Sequence, residues 1–221
     1  MFEAVSQVAL KNYFDDSQAK KTECFLGFFA NALNIFQNTI MLLEKDNVLS
    51  CETYNIVKDL HQKLHQRISD QFFGFTCTNI MKNFSDDEKE SVKQTLIIRY
   101  ENALKYLEKH FDFSENNYLA TIRIFSLQRT FNYQEISACC GKLALTQRLD
   151  MDELYNEFCV VKETINKTIE ERATSSLDGK TTVYEAWHKL FLVNKDIPNL
   201  SQRLSANIKR ARADVSPETL K

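Results

Sequence analysis

The chain has 221 residues, 43% hydrophobic and 26% charged, which is enough apolar material for a sizeable core and sets it apart from disordered compositions. Its formal charge of −2 supplies no overall attraction for phosphate, so any nucleic-acid contact has to come from a local patch. Four glycines and two prolines, the first at Pro198, remove the usual helix breakers and leave no glycine-rich phosphate loop, nucleophile elbow or kinase-type motif.

The opening "MFEAVSQVALKNYFDD" has no basic region followed by an apolar run, so the expectation is an intracellular chain, nuclear or cytosolic, and not a secreted one. Six cysteines (Cys24, Cys51, Cys77, Cys139, Cys140 and Cys159) form no Cys-x-x-Cys pair and read as buried or free thiols. Ser17 to Glu44 carries the pattern of one long helix. Its residues 25–43 hold no charge and are almost long enough to cross a bilayer. The amides of Asn31, Asn34, Gln37 and Asn38, at offsets of three and four, collect on one face, so the segment reads as an amphipathic helix with no membrane role.

After the turn "EKDNVLS", residues 50–70 form a second helix whose stripe Ile56, Leu60, Leu64 and Ile68 should pack on the first. "DQFFGFTCTNIMKNF" predicts a short buried helix or helix-turn. Ser85 followed by Glu88 is a capping box, which starts a helix near residue 86. Val92, Leu96, Tyr100, Leu104, Leu107 and Phe111 continue its apolar face, and Lys105, Lys109 and His110 suit its negative end. The stretch "NNYLATIRIFSLQRTFNYQEISACCGKLALTQRL" predicts short helices rather than strands. Asp150 and Asp152 then precede a clear stripe of Leu154, Phe158, Val161, Ile165 and Ile169. A small polar loop over 173–181 separates this helix from "VYEAWHKLFLV" and a final amphipathic piece with Leu200, Leu204 and Ile208. The fold class is therefore all-α, an irregular multi-helix bundle, with a helical region over 1–172 and C-terminal helices over 182–221.

His61 and His65 stand four apart on a helix, a spacing suited to zinc. With no Glu after the first His and no Cys pair nearby, a solvated helix flank is the simpler reading and no metal or other cofactor is expected. Asp150, Asp152, Glu153 and Glu157 form the densest acidic cluster, which could hold magnesium, but capping and the helix dipole already favour acids at a helix start. The expectation is thus no catalytic residue, no small-molecule substrate and no enzyme. In the tail, Arg203, Lys209, Arg210 and Arg212 cluster beside Leu204 and Ile208, a patch for nucleic acid or an acidic partner.

"YENALKYLEKHFDF", "LDMDELYNEF" and "AWHKLFLVNKDIPNLSQRLS", in that order, resemble the C-terminal half of hAT-type transposases and the animal proteins derived from them. The matching elements are Tyr106 to Phe113, Asp150 to Glu157 and Trp187 to Leu200, and the match is best between about residues 90 and 205. The family builds a ribonuclease H-like core interrupted by a large helical insertion. The resemblance implies that this chain covers mainly that insertion, without a complete sheet, and that 182–221 holds the start of an incomplete dimerisation-like region. No residue here corresponds to the family's catalytic acids, and neither its BED-type zinc finger nor its complete dimerisation segment is visible. What the resemblance implies is a non-catalytic, transposase-derived helical protein or fragment whose partners would be DNA, a second copy or another transposase-like protein. The alternative is a helical protein–protein interaction module with no DNA role, using the 25–43 helix or the Leu200 to Ile208 surface.

Overall fold

The computed structural model describes residues 16–45, 48–174, 181–194 and 197–200. Among these residues the regular structure is helical and no strand occurs. We label the helices α1 (Asp16–Leu43), α2 (Ser50–Ser69), α3 (Phe75–Met81), α4 (Asp86–His110), α5 (Tyr118–Ile122), α6 (Tyr133–Lys142), α7 (Met151–Thr174) and α8 (Val183–Val193), with a 3-10 turn at Arg123–Ser126. Of the loop expected over 173–181, residues 175–180 lie outside the described residues, as does everything from 201 onward. The described residues divide into two compact units, one drawn from Met1–Met41 and Asp59–Phe111, the other from Leu42–Lys58 and Asp112–Lys221.

In the first unit, α1 contributes Cys24, Phe28, Ala32 and Ile35, spaced by three and four so that all four fall on one side. They meet Leu60 and Leu64 of α2, Phe73, Cys77 and Met81 of α3, and Val92, Leu96, Tyr100 and Leu104 of α4. The Tyr100 ring stacks on Phe73 at 6.4 Å and meets Phe28 edge-on at 5.0 Å. Its hydroxyl donates to the Phe72 carbonyl at 3.3 Å and accepts from Arg67 at 3.2 Å. The same Arg67 nitrogen donates to Asn31 Oδ1, and its guanidinium lies over the Phe72 ring, 5.1 Å from the centroid. Gly74 opens α3 with φ of +96°, and a Cβ there would lie 2.9 Å from the Asn31 side chain, so both backbone and space require glycine. The Cys24 and Cys77 sulfurs touch at 3.1 Å as free thiols, and burial pushes both pKa values up.

The second helix differs from its expected stripe. Ile56 and Ile68 are only half-buried, while Cys51, Tyr54, Val57, Leu60 and Leu64 are buried. A strict four-residue repeat drifts by roughly 40° per step around a helix with 3.6 residues per turn, so a long run of such positions cannot share one face. In addition α2 serves two cores in succession, Cys51 belonging to that of the second unit and Leu60 and Leu64 to that of the first.

The second unit gathers Ile122, Phe125, Leu127 and Phe131 with Ile136, Cys139 and Cys140 of α6. Leu154, Phe158, Val161, Ile165 and Ile169 of α7 and Val183, Ala186, Trp187 and Leu190 of α8 complete it, with Ile197 and Leu200 beyond. The α7 stripe is the one its sequence predicts. Buried Trp187 donates from Nε1 to the Phe125 carbonyl at 2.8 Å, which ties α8 to the 3-10 turn. Tyr54 of α2 donates to the Phe113 carbonyl at 2.9 Å, and so fixes the extended chain that follows α4.

Three helices start with reciprocal capping boxes: Ser85 with Glu88, Asn132 with Glu135, and Thr182 with Glu185. Each acid accepts from the backbone N–H of its cap residue, and each carboxyl is held below its ordinary pKa. For Glu88 the hydrogen bond from Lys21 is the leading cause and the value falls from 4.5 to about 2. Because the folded value lies below the ordinary one, the carboxylate's contribution is complete above pH 4.5, shrinks as the pH falls, and is gone below about 2. The Glu88 side-chain carbonyl resonance should therefore titrate near the lower value, and protection of the Ser85 and Glu88 amides, measured against their intrinsic exchange rates, should fall as the pH is lowered across that interval. A Glu88 that titrates at the ordinary glutamate value would contradict the Lys21 bond together with the box.

Candidate functional site

The uncharged run on α1 has two apolar sides. One is packed in the first core. About 135° further round the helix Leu26, Phe29, Leu33 and Ile40 are exposed, Leu26 and Leu33 by 64% and 61%. At about 100° per residue these four lie within one quarter of the helix circumference, and from first to last they run for about 21 Å along the axis. Gln37 and Asn34 are also exposed and lie along one flank of this ridge, exposed Asn38 lies further round beside the packed side, and Asn31 turns inward to Arg67. The amides thus share the strip between the packed side and an apolar outer face, and their positions alone do not disclose that outer face. Beside the ridge a groove is floored at Gly27, whose Cβ position would lie 3.3 Å from Thr76 of α3. By length and composition Gln18–Leu43 is apolar enough to cross a membrane, and its inner face is occupied by protein.

His61 and His65 do more than line a solvated flank. Their rings meet edge-on at 4.5 Å, and Glu108 of α4 reaches both, at 3.0 Å from His61 Nε2 and 4.0 Å from His65 Nε2. No local pattern marks Glu108 as their neighbour, because its partners lie more than forty positions earlier and only the pairing of α2 with α4 joins them.

The acidic cluster separates into different structural roles. Asp150 caps α7, its Oδ1 accepting from the amides of Asp152 and Glu153 at 3.1 and 3.0 Å. Asp152 and Glu153 are exposed, while Glu157 is only 2% exposed. The Glu157 carboxylate accepts from the Asn199 amide at 2.9 Å, from Asn199 Nδ2 at 3.0 Å and from the Leu200 amide at 2.8 Å. These acids do not converge on one point. Cys139 and Cys140 are buried free thiols, raised by burial to about 12 and about 11, and Cys159 is exposed. A cleft of about 370 Å³ between α7 and α8 is lined in part by Lys167, Arg172 and Lys189. The tail cations Arg203, Lys209, Arg210 and Arg212 lie outside the described residues.

No family model, curated protein or solved structure matches the chain.

A buried carboxylate that satisfies three N–H groups leaves all of them without a partner when it is removed. Glu157→Ala should therefore destabilise the protein by about 3 kcal/mol in urea unfolding, and Glu157→Gln by less, since one acceptor oxygen remains. Asp152→Ala should stay within about 0.5 kcal/mol of the parent. Equal losses at residues 152 and 157 would contradict the division between a core acid and a surface one.

Proposed function

We propose that this protein acts by association and not by chemistry, and that the exposed ridge of α1 pairs with the same ridge on a second copy. The observation that carries this is Leu26, Phe29, Leu33 and Ile40 aligned and exposed on a helix whose other side is already packed. Residues 25–43 contain no charge, so two copies meet without like-charge repulsion. The flanking amides of Asn34 and Gln37 both donate and accept, which makes the face chemically complementary to itself across a two-fold axis. Four exposed apolar side chains on a single helix face make a small contact beside the roughly 1,000 Å² that marks a specific interface, which suits a reversible dimer.

The ordered resemblance of Tyr106–Phe113, Asp150–Glu157 and Trp187–Leu200 to hAT-type transposases supports a transposon-derived origin, and self-association fits what the helical insertion does in that family. The contacts from Glu157 to Asn199 and Leu200 give the second and third motifs a packing reason to occur together. Nucleic-acid contact is the companion reading, carried by the cationic cluster of Arg203, Lys209, Arg210 and Arg212.

Sedimentation across a concentration series should show a monomer–dimer equilibrium. Leu33→Glu, at an exposed position, should raise the dissociation constant by about a hundredfold with helix content unchanged. A parent chain that stays monomeric throughout, or that binds neutral vesicles in place of itself, overturns the dimer. For the companion reading, DNA affinity should fall steeply with salt and weaken when residues 203–221 are deleted. No binding at low salt removes it.

A further inference from the structure

Two imidazoles one helical turn apart on α2 and a carboxylate from α4 make a donor set that the association reading does not use. The donor atoms of His61, His65 and Glu108 all lie within 4.8 Å of one another. We propose that these three residues bind a divalent transition cation, with zinc as the best-suited ion and water completing its shell. The proposal stands apart from the α1 ridge, so either can fail without the other.

Two of the three donor separations lie near what a cation needs, and the third is at most 4.8 Å. With metal–ligand bonds of about 2.0–2.1 Å, neighbouring donors of a tetrahedral site sit about 3.3 Å apart. The Glu108 oxygen is 3.0 Å from His61 Nε2 and 4.0 Å from His65 Nε2, distances that bracket the required value. A rotamer adjustment of the exposed His65 and Glu108 side chains closes the set, while half-buried His61 is held in place by the helix pair. Neutral imidazole and carboxylate together favour zinc and its neighbours over magnesium or calcium, which take oxygen-rich shells. Three protein ligands leave a coordination position open, and the exposure of His65 and Glu108 lets the ion enter without parting the helices. Binding replaces the His61–Glu108 hydrogen bond with two metal–ligand bonds, so the cation takes over the cross-link between α2 and α4 and does not add a second one.

The test uses the full chain, freed of metal with a chelator and titrated with zinc chloride by calorimetry. Cobalt(II) serves as a coloured substitute in a parallel titration. The expected result is one ion per chain, with visible cobalt bands and no thiolate charge-transfer band in the near ultraviolet. Losing an outer-shell partner of a metal site costs about 10–100-fold in affinity, so losing a ligand through His65→Ala or Glu108→Gln should cost at least that. His65 and Glu108 are exposed, and both variants should keep the parent's circular dichroism. Imidazole resonances of the unmutated protein, followed during zinc addition, report the same contact without a substitution and should shift for two histidines only. A chain that takes up no zinc, affinity unchanged in both variants, a thiolate band, or histidine shifts at His110 or His188 in place of these two each overturns the site.

Discussion

The second unit is organised around a carboxylate that has been taken out of water. Burying an ionised side chain costs several kcal/mol unless its lone pairs are met. Glu157 meets that demand with two backbone amides and one side-chain amide from a single short segment. The arrangement works in both directions: Asn199 and Leu200 come in with their N–H groups satisfied, and the stretch that holds Ile197 and Leu200 is drawn against α7. Trp187 makes an analogous tie, donating its one polar hydrogen to the Phe125 carbonyl while its rings fill the core beside Phe125 and Phe191. Two buried, long-range polar ties, four hydrogen bonds in all, thus set where the end of the described chain goes.

The first unit solves the same problem with a cation. Arg67 bonds Asn31 of α1 and Tyr100 of α4, and its plane covers Phe72. One side chain on α2 therefore links both neighbouring helices, with guanidinium geometry suited to several acceptors at once. Gly74 belongs to the same arrangement, because the bend it permits brings the chain against Asn31 closely enough that no side chain fits.

Sequence patterning discloses those parts of this fold whose cause is local. The α7 stripe, the Ser85 box and the bounds of α8 are each decided within one or two helical turns, and the structure has them where the sequence puts them. The Asn132 and Thr182 boxes carry the same three-residue signal but sit in a region of short helices, where it is easily passed over. What was not legible depends on elements far apart in the chain. Ile56 leaves the α2 stripe because two cores claim that helix, Glu157 looked like one of several surface acids until Asn199 reached it, and Glu108 meets His61 only through helix pairing. The outer ridge of α1 was hidden for another reason: amide positions alone do not say which apolar side of a helix turns inward.

That ambiguity bears on α1 itself. With Leu and Phe on one side and Phe, Ile and Cys on the other, hydrophobic burial alone separates the helix poorly from the same helix turned by about 135° around its axis. The rotational phase must be chosen by discriminating contacts: the Asn31–Arg67 bond, the close approach of Thr76 to Gly27, and the snug place of Cys24 beside Cys77. Stability and orientation in this helix are therefore carried by different residues, the first by its oils and the second by an amide, a glycine and a thiol.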